Sequence, residues 1–584
     1  MATNDKAGGD AGNAVHEQQT NNSDLFVSKP GDSTIKRTNV DAIPQVDVTQ
    51  QDLYDSADDP TSWLLYGNGY RNHHHTTADV IKPDTLNNLD KEWEVHVGEV
   101  GGDFQGSPLV VPGDPPIIYQ SNGPDNIRAM NARTGEVLWT HVYHPVTDYL
   151  DQKPSAHRGV AVPGDTLYTS TLDLGVLALD RYDASEQWYY NGAYQYRDME
   201  ASGDPQTAIQ NQLHFLRHTG YSSSYPPVVY EGTMAHGSFG GEYGVRGWIE
   251  GVTTDGEQAW RQYNSPKDQW IGDAWQHAGG TVWQAPAIDP DSGLAVFPVS
   301  NPGPWYGTAR PGWNPYTSGK VAYDMTDGEY QWHYQVTPHD WWDYDSMSPP
   351  FIFEAKVDGE QRKLASWGGK SGWAYTVDAK TGELVQRSEP YTEHLNTYTL
   401  PPKNIDDRPP IMPRVLGGTD PQPPAYDPNS QTMVVKGVNQ PMKMSWSEIE
   451  YQAGKLYTGE EHRPVPADQR DQIDGWDKPL GNVTALDPVS GDILWQDWVP
   501  RFPWGGSLTT ATGLTFAGLA SGNLVAYDTE SGDRLWEGDV GPAVDSNPVS
   551  WYDPGTNKQY VMVQGGGAHM GEDGNKAVAF AVQE

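Results

Sequence analysis

The chain has 584 residues, with 38 Lys plus Arg against 78 Asp plus Glu and a formal net charge of −40 at pH 7. An excess this acidic excludes a nucleic-acid partner, which needs a basic footprint. It suits the solvated surface of a halophilic protein, where salt screens self-repulsion; an ordinary acidic secreted protein is the alternative. Cysteine is absent, which removes disulfides, thiolate metal sites, cysteine nucleophiles and the C-x-x-C-H haem attachment together.

Residues 1–45 begin "MATNDKAGGDAGNAVHEQQTNNSD". They are polar, lack the apolar core of a signal peptide and are expected to be disordered. No run of about 18 apolar residues occurs anywhere, so no membrane-spanning helix is predicted. Residues 46–584 are expected to form one domain. Gly 63, Pro 46, Trp 23 and Tyr 32 describe a turn-rich, aromatic-rich chain. Short Val/Ile/Tyr runs between Gly/Asp turns predict an all-β fold. Near its start, "RNHHHTT" (His73 to His75) invites a metal reading. Adjacent residues of an extended segment face opposite sides, so the three imidazoles cannot share one ion, and the stretch reads as a surface loop.

A repeated phrase then sets the architecture: an apolar strand, an Asp, a turn with Gly, then Trp. It ends at Trp93, Trp139, Trp188, Trp260, Trp332, Val385, Trp495 and Trp536. The endings lie 41 to 72 residues apart, except for 110 between Val385 and Trp495. Asp and Gly make the tight turn, and the Trp packs into the neighbouring unit. Units of this size that cannot bury a face alone build solenoids or propellers. Antiparallel strands favour a propeller. Eight endings predict eight blades, with seven as the rival because the Trp93 and Val385 copies are weak. The long gap and "LPPKNIDDRPPIMPR" are expected as loops on one rim, where function resides.

Three loop segments in successive repeats carry candidate chemistry: "HGSFGGEYGVRGW" with Glu242, "WQAPAIDPDSGLAVFPVSNPGPW" with Trp283 and Asn301, and "TPHDWWDYDSMSPP" with Asp340, Asp343 and Asp345. In a propeller such loops converge on the axis. Glu, Asn and Asp oxygens meeting there suit a hard cation such as Ca2+. Solvated carboxylates on an acidic protein are the competing reading.

These motifs, in their order and spacing, resemble the quinoprotein alcohol dehydrogenases, the PQQ-dependent eight-bladed propellers related to methanol dehydrogenase. The resemblance runs from about residue 60 onward and is strongest between 236 and 385. The Trp phrase is similar to that family's tryptophan-docking repeat. The resemblance implies that Glu242 ("GGEYGVRG"), Asn301 ("SNPGPW") and Asp343 ("PHDWWDYD") hold a metal, Ca2+ or a lanthanide ion. Asp343 falls at the catalytic base. Lys370 ("GGKSGWAYTVD") falls at the basic residue facing the reactive quinone oxygen. Trp283 falls at the floor beneath PQQ. Arg158 ("HRGV"), Ser224 ("SSSYPP"), Asn439 ("GVNQPM") and Trp504 ("FPWGG") fall at further cofactor contacts. Asp345, two residues after the base, resembles the lanthanide-dependent branch; a supporting or surface carboxylate is the other reading, and Asp340 is assigned to loop structure. The implied reaction oxidises a primary or small alcohol and passes electrons to a separate acceptor, a cytochrome or blue-copper protein. The family works outside the cytoplasmic membrane; no signal peptide is visible, so a cytoplasmic location stays open.

The chain also departs from the pattern. "DQKPSAHRGV" lacks the family's adjacent cysteines, Phe239 stands where a Ser usually contacts PQQ, and "GGTDPQPPAYDP" lacks an aromatic often found after the Gly pair. Without a haem-attachment motif the quinohaemoprotein branch is excluded. A cofactor-free propeller scaffold is the alternative from another class. It would retain the repeat Trp but lose Glu242, Trp283, Asn301, Asp343 and Lys370. A two-carboxylate glycosidase leaves Trp283 and Asn301 unexplained.

Overall fold

The computed structural model describes residues 29–98, 103–151, 156–195, 205–470, 473, 476, 478–567 and 572–583. Among these, eight sheets follow one another as the blades of a propeller, antiparallel except where His75–Thr76 pairs parallel with the edge of blade seven, and a ninth, two-stranded sheet is an added hairpin. Blade one contains Leu109–Val111, Ile117–Asn122, Asn126–Asn131 and Val137–His144. Blade eight joins Val549–Asp553, Lys558–Gly565 and Lys576–Val582 to the early strand Leu89–His96. That pairing runs antiparallel from Leu89 opposite Val582 to His96 opposite Lys576. It closes the ring by hydrogen bonding the two ends of the domain, which leaves no long sheet edge open.

The Trp phrase is the joint between blades. Trp93, Trp139, Trp260, Trp332, Trp495 and Trp536 each donate an indole N–H to a backbone carbonyl of the following blade: Ala132 (3.1 Å), Arg181 (3.1 Å), Met325 (3.0 Å), Ala379 (2.8 Å), Thr529 (2.9 Å) and Leu89 (2.9 Å). The ring lies flat on the next turn, and that turn must lack a side chain. At Gly382, φ is 71° and a Cβ would stand 2.6 Å from the Trp332 ring. The weak copy has a physical substitute, one residue beyond its expected end. Gln386, four residues after Gly382, occupies the docking position. Its amide donates to Pro488 O at 3.1 Å, the carbonyl equivalent to those the indoles use. The Trp188 ring lies against the turn glycine Gly256, where a Cβ would stand 3.1 Å from it, so seven Trp and one Gln account for the eight endings.

The expected disorder of residues 1–45 does not extend to its last third. Residues 1–28 lie outside the described residues, but Asp32–Arg37 forms a strand on the outer edge of blade one, paired with Val137–His144. Glu186 of blade two holds this strand through Lys29 Nζ (2.5 Å) and the Ser33 hydroxyl. The His cluster is corrected too. His74 and His75 are buried, not surface. They do diverge: His73 meets Ile352 O (2.6 Å), and His75 meets the Thr509 hydroxyl (3.0 Å). Burial pushes His74 down to about 3, so it is neutral in the fold.

The 110-residue gap is filled by loops and by the hairpin Met442–Trp446 with Glu460–Pro464, inserted between two strands of blade six. This hairpin covers the loops that carry Asn301 and Asp343. Trp446 stacks on Tyr306 with centroids 4.9 Å apart, and His462 stacks on Trp305 at 5.7 Å. No helix among the described residues is long and apolar enough to cross a membrane.

Candidate active site

Two kinds of loop end on the same rim of the propeller, because strand one of a blade starts where antiparallel strand two finishes. Just ahead of the innermost strands stand Gln105, Arg158, Ser224, Trp283, Asp343 with Asp345, Asp420 and Trp504. Just after second strands stand Glu242, Asn301, Lys370 and Asn439. The propeller turns both sets toward the axis.

Lys370 is the centre of the acidic side. It is 3 % exposed, and its ammonium lies 3.0 Å from Asp343 Oδ2, 3.1 Å from Asp345 Oδ1 and 3.5 Å from Asp420 Oδ1. Burial alone would favour the neutral amine. The three carboxylates outweigh it and hold Lys370 well above its ordinary pKa. The aspartates move up as well. Burial drives Asp343 well above the carboxylate range; Lys370 pulls it down, while Asp345, Glu242 and Asp340 push it up. Asp345 rises to about 8, from burial first and then the Asp420 charge, against Lys370. Lys370 by itself does not overcome burial and three like charges at Asp343.

Asp343 sits at φ 60°, in the left-handed region that Asp tolerates better than most residues. Asp340 holds the turn around it. One of its oxygens accepts the Trp342 N–H (2.8 Å) and the other the Ser318 hydroxyl (2.9 Å). Asp343 spends one oxygen on Lys370 and turns the other to Asn301. With its nitrogen inward, the Asn301 amide donates to Asp343 Oδ1 at 3.2 Å and accepts the Trp305 indole N–H at 2.8 Å. The opposite orientation sets two acceptors face to face, which a cation between them would stabilise. Glu242 projects from the turn Gly241–Tyr243, flanked by left-handed Gly240 and Gly244. Burial raises its pKa, against the Lys370 charge. This oxygen-rich donor set is the chemistry a hard cation requires.

The other side is built around a buried guanidinium. Arg158 donates to the Ser224 hydroxyl and to Gln105 Oε1 (3.0 Å), and lies 4.4 Å from the Trp283 ring centroid. Burial lowers it to about 10, while nearby Tyr66, Asp103 and Asp420 pull it back up. Its Nε meets no partner. A buried cation with an unused donor, beside an aromatic plane, fits a flat ligand that carries carboxylates.

Trp504 is buried at the same rim. Asn439 reaches the rim but is already engaged: its carbonyl accepts the Glu393 N–H (2.9 Å) and its amide donates to Pro479 O (3.0 Å). It ties two loops together. Residues 152–155, within "DQKPSAHRGV", lie outside the described residues. The sequence reading missed Gln105 and Asp420. A usable signal existed, because both stand four or five residues ahead of an innermost strand, as Ser224 and Trp283 do.

An eight-bladed propeller that gathers a buried lysine–aspartate cluster and a buried arginine on one rim thus defines the class. Residues 63–390 and 463–561 match the family model described as "Glucose/ethanol/alcohol dehydrogenase, beta-propeller domain", the PQQ family. The chain is 28% identical to the quinoprotein alcohol dehydrogenase PedH of Pseudomonas putida, over 89% of this chain and 88% of that one. It is 25% identical to a lanthanide-dependent methanol dehydrogenase of Methylacidiphilum fumariolicum, covering 87% and 85%. A solved europium-containing methanol dehydrogenase shares the fold, with a TM-score of 0.78 at 22% identity over 91% of this chain and 100% of that one. The chain belongs to the PQQ-dependent, quinoprotein alcohol dehydrogenase family of oxidoreductases.

Proposed function

We propose that this enzyme oxidises a primary or small alcohol to the aldehyde, with PQQ in the axial cleft and a cation held by Glu242, Asn301, Asp343 and Asp345. The observation that carries the reading is the Asp343 carboxylate, with one oxygen 3.0 Å from the Lys370 ammonium and the other facing the Asn301 amide, whose oxygen a cation between them would turn inward. Bound PQQ supplies the acceptor for the hydride leaving the alcohol carbon. Arg158 and Ser224 would hold its carboxylates, and Trp283 would offer a face for its ring plane. Lys370 places a buried positive donor where negative charge develops. Asp343 takes the hydroxyl proton as general base, so the alcohol loses two electrons and two protons in all. A cation beside Asp343 lowers its pKa, so cation binding and ionisation of the base are linked. The electrons leave for a separate acceptor, a cytochrome or blue-copper protein, outside the cytoplasmic membrane.

A trivalent lanthanide is the favoured ion. Asp343, Asp345 and Asp420 lie within 3.5 Å of a single Lys370, whose charge also reaches Glu242; four carboxyl groups against one ammonium, once ionised beside a bound cation, are balanced better by a trivalent ion than by a divalent one. Asp345 spends one oxygen on Lys370 and keeps the other. Reconstitution with PQQ plus La3+ or Ca2+, followed by dye-linked alcohol oxidation, tests the proposal. Asp345→Ala should abolish activity with La3+ and spare it with Ca2+. No bound quinone with either ion would overturn the enzyme reading, and equal loss with both ions would overturn the choice of ion.

A further inference from the structure

We propose that Asp420 is a positioning residue that acts through Lys370 as its buried counter-charge and makes the bound quinone a weaker oxidant; this rests on the PQQ reading above. A Lys ammonium has three N–H donors. Three carboxylates surround this one, Asp343 and Asp345 at 3.0 and 3.1 Å and Asp420 at 3.5 Å. Of these, only Asp343 accepts a hydrogen bond from it; Asp345 and Asp420 are ionic contacts. Asp420 is the longest of the three contacts, so its side of the ammonium is the one most easily given to a ligand oxygen.

The placement of Asp420 is built in. Its loop is fastened to the Lys370 backbone, with Gly418 N–H donating to Lys370 O (2.9 Å) and Thr419 N–H to Gly369 O (3.1 Å). This close approach needs a residue without a side chain. At Gly417, φ is 79° and a Cβ would stand 2.6 Å from both the Cα and the Cγ of Lys370. The loop is held on its far side too. The Asp420 N–H donates to Gln422 Oε1 (2.8 Å), Gln422 donates to Pro503 O (3.0 Å), and Gln284 donates to Pro421 O (3.1 Å). Blades four, five, six and seven thereby fix one carboxylate, which is 6 % exposed, against one ammonium.

The consequence is electrostatic. A fixed negative charge beside a redox group disfavours the electron-rich form, and a buried charge is little screened. Asp420 also offsets the Lys370 charge that would otherwise favour reduction. Its replacement by a neutral isostere should make the cofactor more oxidising.

The test uses the full chain reconstituted with PQQ and La3+. Wild type must first bind PQQ in a spectroscopic titration; failure there defeats the PQQ reading, not this one. Spectroelectrochemical titration then gives the midpoint potential of wild type, Asp420→Asn and Asp420→Glu. Asp420→Asn is expected to shift the two-electron equilibrium toward the reduced form about tenfold, or ~30 mV upward, while Asp420→Glu stays within about twofold of wild type. La3+ affinity, measured by calorimetry, should be unchanged in Asp420→Asn. An unchanged potential in Asp420→Asn, or the same shift in Asp420→Glu, would overturn the proposal. A large loss of La3+ affinity would also overturn it, by making Asp420 a ligand. If Asp420→Asn fails to fold, Asp420→Ser replaces it with the same expected direction.

Discussion

Lys370→Gln removes the one positive charge from a buried cluster of three aspartates. The ammonium is 3 % exposed and within 3.5 Å of all three. At an effective dielectric of about 20, a unit pair 3 Å apart interacts by roughly 5 kcal/mol gross. Desolvation and repulsion among the carboxylates offset much of that. Removing one partner of a buried pair costs about 3–5 kcal/mol net, and this is the expected loss near neutral pH. The sign of its pH dependence follows from the carboxylates. Asp343 and Asp345 already lie above their ordinary values, Asp345 at about 8, and losing Lys370 raises them further. The folded variant then holds protons that the unfolded chain has released, so its stability falls as pH rises above the unfolded carboxylate pKa of about 4. The deficit should be small at about pH 5 and largest at about pH 8. Urea titrations followed by tryptophan fluorescence measure it, and added La3+ should shrink it by restoring positive charge. A deficit below about 1 kcal/mol that is flat across this range would refute the reasoning.

Asp343→Asn should retain PQQ and cation yet lose turnover by about 10²–10⁴-fold; loss of cofactor binding together with turnover would point to a structural role instead. Trp332→Ala should destabilise the propeller by about 3–5 kcal/mol, whereas Gln386→Ala at the equivalent joint should cost about 1 kcal/mol; equal losses in denaturant titrations would contradict the docking assignment. Burial opposes Glu186 ionisation, but His141, Lys29 and Ser33 hold its pKa down to about 2. A depressed carboxylate stabilises the fold above its unfolded value near 4.5 and loses that contribution as pH falls toward 2. Glu186→Gln should therefore cost about 1–2 kcal/mol at neutral pH, discounted for solvent screening, and almost nothing in strong acid. A pH-independent loss would count against the ion pair as its source.

The sequence by itself determined the blade and its joint. A turn of Asp and Gly followed by Trp is a local instruction, written within about a dozen residues, and its eightfold recurrence specifies the architecture. For the rim, the repeat supplied only three acidic or polar loops in successive units; the roles of Glu242, Asn301, Asp343 and Lys370 came from the resemblance to the quinoprotein family. Even the weak copy followed the rule once Gln386 was seen to donate where the indoles do.

Only the tertiary structure decided which of those residues face each other. Asp420 and Lys370 are 50 residues apart in the chain and meet because Gly417 and Gly418 let one loop rest on another. Asn439 carries the right chemistry, but its donors and acceptor are taken by loops whose approach no local pattern announces. His74 sits in a polar-looking run yet is sealed among strands. The direction of each pKa shift belongs to this level as well. Burial and the distances among charges set it, and both come into being only when the eight blades close on one axis.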